Sequence, residues 1–137
     1  MRLLLADDHE RMRDALRALI ARMPDVALVG EATTGLEAVA LAAQRSPDVV
    51  VMDLNMPELN GIEATRRLLQ HDAQVKVVAL SAHTDRRYVA AMLEAGAHAY
   101  VAKNAAFEEL WPAISAVMRG HPYVSPSVAG AVPEGSP

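Results

Sequence analysis

Asp53 ends a short apolar run, Val49-Val50-Val51-Met52, that is flanked by Ser46-Pro47-Asp48 on one side and Asn55-Met56-Pro57 on the other. β-Branched residues in so short a run, bounded by turn formers, predict a buried strand with a carboxylate at its C-terminal end. In open α/β sheets that edge is where ligands bind. Three further segments end in the same manner: Leu3-Leu4-Leu5-Ala6 leads into Asp7-Asp8, Val77-Val78-Ala79-Leu80 into Ser81, and Ala99-Tyr100-Val101-Ala102 into Lys103. If these strands are parallel neighbours, three carboxylates, a hydroxyl and an ammonium meet at one place. Crowded carboxylates repel one another and raise each other's pKa, and a divalent cation relieves this. An oxygen-only ligand set favours Mg²⁺. Lys103 then supplies a fixed positive charge suited to phosphoryl oxygens. Carboxylate, Mg²⁺ and lysine together make a constellation for phosphoryl transfer, where positioning and charge neutralisation carry most of the catalysis.

Each residue taken alone has a plainer reading. Asp-Asp after a strand often caps a helix. Asp53 reads equally as a solvated loop residue, Ser81 as a cap for the helix that follows, and Lys103 as a surface charge. Their joint placement at four separate strand ends is what those readings leave unexplained.

The elements that must position these groups alternate along the chain. Met12, Leu16, Leu19 and Ile20 recur at helical spacing and predict a helix over 11–23, with Pro24 just beyond. Residues 26–32 read as a second strand. Thr34-Gly35-Leu36-Glu37 fits a capping box that opens a helix to about residue 44, before Pro47. After Pro57 and Gly61, Ile62, Thr65, Leu68 and Leu69 mark a third helical face. Residues 75–80 predict the fourth strand, 85–95 the fourth helix with Gly96 as its C-terminal cap, 99–101 the fifth strand and 107–119 the fifth helix. Pro112 falls inside that last pattern, where it removes a backbone hydrogen bond and is expected to bend the helix. Five βα repeats predict a parallel sheet covered by helices on both faces.

Composition bounds the rest. A chain of 137 residues is one domain by length, and 52% hydrophobic content with only 4% aromatic predicts an aliphatic core. A net charge of −4 gives no footprint for nucleic acid, so this stretch alone is expected not to bind DNA. The lack of cysteine excludes a disulfide framework and thiolate metal sites. No apolar run approaches the ~18 residues of a membrane helix, and Met1-Arg2 passes through three leucines into Asp7-Asp8 without the form of a signal peptide. A cytoplasmic location, with no membrane partner, is therefore expected. From Gly120 the composition shifts: residues 120–137 hold four of the eight prolines and only one formal charge, Glu134. That is linker composition, and it predicts a globular part over 1–119 joined to something further on.

The motifs Leu-Leu-Ala-Asp-Asp-His at 4–9, Val-Val-Val-Met-Asp-Leu-Asn-Met-Pro at 49–57 followed by Asn60-Gly61, Leu-Ser-Ala at 80–82 and Gly-Ala-His-Ala-Tyr-Val-Ala-Lys at 96–103 resemble, in order and spacing, the receiver domain of bacterial two-component response regulators. The resemblance covers residues 1–119. It implies a flavodoxin-like (CheY-like) doubly wound sheet of five parallel strands in the order 2-1-3-4-5 with five helices. By position it implies that Asp53 accepts a phosphoryl group from a partner histidine kinase. It implies that Asp8 and Asp7, with Asp53 and the backbone carbonyl of Asn55, hold Mg²⁺. Ser81 and Lys103 match the hydroxyl and the lysine that meet the phosphoryl group, and Tyr100 matches the aromatic whose rotamer follows that hydroxyl. Phosphorylation would then act as a local charge event with a surface readout. His83 stands where side chains modulate the lifetime of the acyl phosphate, or is a solvent-facing loop residue. His9 is read as a helix-start residue. The fifth helix is a common homodimer surface in the family.

Asp-Asp-His-Glu-Arg-Met-Arg, Ala-Lys-Asn-Ala at 102–105 and Gly-His-Pro-Tyr-Val-Ser-Pro at 120–126 resemble the LuxR/NarL/FixJ subfamily, whose receiver precedes a helix-turn-helix DNA-binding domain. The resemblance thus implies a transcriptional regulator whose output domain lies outside this sequence. Two rival functions stay open: a Mg²⁺-dependent phosphohydrolase working through an aspartyl phosphate, and a stand-alone signalling receiver. Such hydrolases place a second acid two positions after the nucleophile, and that position here is Asn55. A nucleotide-binding Rossmann domain is disfavoured, since no G-x-G-x-x-G follows the first strand.

Overall fold

Alternating apolar residues on the strands separate into two sets, and each set needs a cover of helices. The computed structural model describes residues 1–131. In order along the chain they form β1 (Arg2–Ala6), α1 (Glu10–Ala21), β2 (Ala27–Ala32), α2 (Gly35–Arg45), β3 (Val49–Asp53), α3 (Gly61–His71), β4 (Lys76–Ser81), α4 (Arg86–Glu94), β5 (Ala99–Ala102), α5 (Ala106–Met118) and β6 (Tyr123–Val124). All strand pairs are parallel and the sheet order is β2-β1-β3-β4-β5-β6. Leu4, Val50, Met52, Val77, Ala79 and Tyr100 pack on one face, toward α2, α3 and α4. Leu3, Leu5, Val49, Val51, Val78 and Val101 pack on the other, with Leu16 and Ile20 of α1 and Leu110 and Ile114 of α5. Strands buried on both faces read as continuous apolar runs, as these do.

The doubly wound core expected from the repeats is present, and the helix and strand bounds fall within two residues of expectation. Thr34 Oγ1 accepts from the Glu37 N–H at the start of α2, and the Glu37 carboxylate accepts from the N–H of Thr33. Gly96, at φ +114°, follows the last turn of α4 in a conformation that favours glycine. The α5 helix runs through Pro112 without interruption.

One difference from the five-strand expectation lies after α5. There the chain adds a sixth, two-residue strand to the β5 edge, then a 3₁₀ segment (Pro126–Ala131) with Val128 buried in the core. Linker composition does not anticipate this docking, because two residues are too short to show a period of two. The remainder of the expected linker, 132–137, lies outside the described residues.

Gly61 sets the distance between α3 and the end of β3. A Cβ at this position would stand 2.0 Å from the carbonyl oxygen of Asp53, and the Gly61 N–H donates to the carbonyl of Leu54 at 2.7 Å. Only a residue without a side chain lets the helix start this close to the strand. Asn60 Oδ1 caps the same helix by accepting from the Glu63 N–H.

Two predictions follow from these contacts. Gly61→Ala is expected to lower stability by about 2 kcal/mol or more, because backbone rather than a yielding side chain blocks the new methyl; urea unfolding with an unchanged midpoint would contradict it. At the opposite edge, His98 Nδ1 accepts from the Val77 N–H at 3.0 Å. Burial and then the charge of Lys76 hold the imidazole below the usual histidine pKa. The unfolded chain therefore takes up a proton that the fold resists, and stability is lost as pH falls through the ordinary histidine range. Thermal melts between pH 7.5 and 5 should show the wild type losing ground to His98→Asn on acidification, whereas parallel curves would count against this.

Candidate functional site

β1, β3, β4 and β5 end at the same edge of the sheet, and register brings their last residues side by side. Asp53 pairs with Leu80, and Ser81 pairs with Ala102, the residue before Lys103. Asp7 follows directly on β1, its N–H donating to the carbonyl of Ala32 at 3.0 Å.

Three of the expected residues converge tightly. Lys103 Nζ lies 3.1 Å from Asp53 Oδ2 and 3.1 Å from Asp7 Oδ2. Asp7 and Asp53 are 1% and 3% exposed, so the ammonium joins two carboxylates that have been almost wholly withdrawn from water. Asp7 Oδ1 accepts from the His9 N–H at 2.8 Å, whereas its buried Oδ2 has no aligned hydrogen-bond donor although Lys103 stands at ion-pair distance. Asp8 sits at the exposed rim of the same cluster. Neither aspartate caps α1, since that position belongs to His9.

Burial, and after it the charge of Asp7, pushes the Asp53 carboxyl above the usual carboxylate range. Lys103 and the backbone N–H of Asn55 oppose the shift without cancelling it. The carboxylates of Asp7, Asp8 and Asp53 thus form a hard-oxygen set carrying more negative charge than its one lysine offsets. With an orphaned buried oxygen and an uncompensated charge, these residues fit a divalent cation such as Mg²⁺.

Ser81 is buried at the end of β4, with Oγ accepting from the His83 N–H at 3.0 Å. It does not cap α4, whose N-cap is Asp85. Tyr100 is fully buried, and its hydroxyl donates to the carbonyl of His83. The hydroxyl residue and the aromatic are therefore tied to one loop. His83 Nε2 meets Asn55 Nδ2, and its ring stacks on Tyr88 with centroids 4.2 Å apart. This ring bridges the loops after β3 and β4 instead of simply facing solvent. Ser81, Ala82, Thr84, Ala102, Lys103 and Asn104 line a shallow cleft beside the lysine.

His9 is the member that reading by residue type set aside. Besides starting α1, it places Nδ1 3.2 Å from Asp7 Oδ1, 3.2 Å from Asp8 Oδ1 and 3.3 Å from Lys103 Nζ. Its adjacency to Asp7-Asp8 was the one signal in the sequence. The orientation of the ring depends on the turn that joins β1 to α1.

Comparison with known proteins gives the same picture. The family model of the response regulator receiver domain matches residues 3–115. The transcriptional regulatory protein LiaR of Bacillus subtilis is 40% identical over 132 residues, covering 96% of this chain and 63% of that protein. Response regulator UvrY of Escherichia coli is 38% identical over 126 residues, covering 92% and 58%. The chain thus spans less than two thirds of the length of these relatives. Among solved structures, a two-component response regulator of the LuxR family from Aurantimonas sp. superposes with a TM-score of 0.91 at 39% identity, covering 96% of this chain and 94% of that one. The response regulator domain of Thermotoga maritima CheB gives 0.74 at 34% identity, with 88% and 94% covered. On its sequence, its sheet order and the residues at its sheet edge, this chain belongs to the response regulator receiver domain family.

Proposed function

We propose that Asp53 is the phosphoacceptor of this domain, modified by a partner histidine kinase. The observation that carries the reading is the single ammonium shared between Asp53 and Asp7, 3.1 Å from each, within a cluster of three carboxylates that this one lysine does not balance. One Asp53 oxygen attacks the phosphorus of the donor phosphohistidine, the P–N bond breaks, and the donor imidazole keeps the electron pair and takes a proton. An acyl phosphate on Asp53 results. Asp8, Asp7, Asp53 and the backbone carbonyl of Asn55 would hold Mg²⁺, which when bound neutralises phosphoryl oxygens. Lys103 pairs with the incoming charge from the other side. The Ser81 hydroxyl turns toward the phosphoryl oxygens, and Tyr100, hydrogen-bonded to the same loop, follows that movement.

The domain switches and does not turn over a substrate. Asn55, two residues past the nucleophile, has no carboxylate to shuttle a proton as a phosphohydrolase requires. Relatives longer than this chain bear names of transcriptional regulators. In the full-length protein we take residues 1–119 as the βα core of the receiver, with the docked segment after it leading on to a helix-turn-helix output domain. That places the switch in the cytoplasm beside the DNA it controls, while the receiver, at net charge −4, leaves nucleic acid to its partner. Among the described residues no helix is long and apolar enough to cross a membrane.

Acetyl phosphate with Mg²⁺ is expected to add the mass of one phosphoryl group to the wild type and none to Asp53→Ala; equal addition to both would overturn the assignment. In Asp8→Ala the phosphorylation rate at low Mg²⁺ should fall by roughly 10- to 100-fold with the fold retained, and an unchanged rate would remove Asp8 from the metal site. His83, closing the gap between Asn55 and Tyr88, shields the acyl phosphate from water. His83→Ala should shorten the phosphoryl half-life by about threefold or more, read by intact mass after removal of the donor, and an equal or longer half-life would contradict this role.

A further inference from the structure

Ser125 is fully buried, lies outside the acidic cluster, and makes an unusually complete set of bonds for a residue in a segment of linker composition. A buried hydroxyl is costly unless both its donor and its acceptor roles are filled. Here the Oγ–H donates to Glu109 Oε1 of α5 at 2.5 Å, and Oγ accepts from the Ala102 N–H at 3.1 Å. The Ser125 N–H donates in turn to the carbonyl of Tyr100 at 2.9 Å. Glu109 fixes the orientation: an ionised carboxylate only accepts, so the serine proton points to Glu109 and a lone pair is left for Ala102. The Tyr123 hydroxyl donates to the same Glu109 oxygen at 3.1 Å, and Val128, only 1% exposed, anchors the segment beyond.

The place of that bond matters more than its number. Ladder pairing between β5 and β6 involves only Ala99 with Tyr123 and Tyr100 with Val124. Beyond Tyr100 no strand among the described residues covers the outer side of β5, and Ser125 takes over at Ala102. On its inner side Ala102 pairs with Ser81, and the next residue is Lys103, whose Nζ reaches Asp53 and Asp7. One peptide thus links the hydroxyl residue, the lysine and the segment that follows α5.

We propose that Ser125, oriented by Glu109, is a positioning residue for Lys103. It locks the Ala102 peptide so that the ammonium meets the phosphoryl group on Asp53, and the working receiver then extends through residue 128. This rests on the phosphoacceptor reading of Asp53. The lysine touches phosphoryl oxygens directly; Ser125 acts only through the backbone that carries it.

The test is binding of beryllofluoride, a phosphoryl mimic, followed by fluorine NMR at saturating Mg²⁺, with Mg²⁺ affinity measured separately on the same proteins. Ser125→Ala is expected to weaken beryllofluoride binding by about tenfold without lowering Mg²⁺ affinity, since the metal-side carboxylates lie on other strands and a displaced Lys103 removes only a cation that competes for Asp7 and Asp53. Glu109→Ala should act in the same direction, and Ser125→Thr, which keeps the hydroxyl, should restore binding. Unchanged beryllofluoride affinity in Ser125→Ala, or a parallel fall in beryllofluoride and Mg²⁺ affinity tracking a loss of thermal stability, would reduce Ser125 to a structural residue and overturn the proposal. A wild type that binds no beryllofluoride would instead sink the phosphoacceptor reading, and this proposal with it.

Discussion

Two carboxylates held out of water and one ammonium between them govern how this sheet edge is built. Asp7 and Asp53 are nearly inaccessible, and Lys103 stands 3.1 Å from an oxygen of each. Withdrawing like charges from water is expensive, and a single cation recovers only part of the cost. The upward displacement of the Asp53 carboxyl records that imbalance, with burial as its main cause and Asp7 next. A site left short of positive charge is a site prepared to receive it, and to respond when the charge on Asp53 changes.

Holding such a cluster together requires a rigid frame. Strands packed on both faces supply it, because neither Asp53 nor Ser81 can move without disturbing Val51, Leu80 and the helices that cover them. Gly61 lets α3 begin against the carbonyl of Asp53, and Asn60 holds the first turn of that helix. On the far side, the Ser125–Glu109 pair completes the outer edge of β5 where ladder pairing stops. The loop after β4 ties three of these residues together. Ser81, His83 and Tyr100 exchange their bonds through a single backbone segment, so a change at one is felt by all three.

Much of this was legible in the residue order, and the reasons are physical. Apolar runs such as Val49-Val50-Val51-Met52 can only be satisfied inside a doubly covered sheet, so the strands, their parallel arrangement and the gathering of Asp7, Asp53 and Lys103, with Ser81 at the neighbouring strand end, follow from pattern. Capping residues Thr34 and Asn60 and the glycine after α4 mark helix ends by local chemistry. What escaped pattern depends on tertiary contacts. Tyr123 and Val124 become a strand only because β5 offers an open edge, and Ser125 becomes buried only once that pairing has formed. His9 is marked only by its adjacency to Asp7-Asp8; the turn after β1 aims Nδ1 at the carboxylates. The bridging place of His83 likewise needs Asn55 brought near from the loop after β3 and Tyr88 from α4.

The central claim is that Asp7, Asp8 and Asp53 act as one charge unit completed by a divalent cation. Carboxyl-carbon NMR of the wild-type chain during a Mg²⁺ titration tests it most directly. All three side-chain signals should shift along a single saturating isotherm. Signals that stay still, or that move along separate isotherms with different midpoints, would contradict the account.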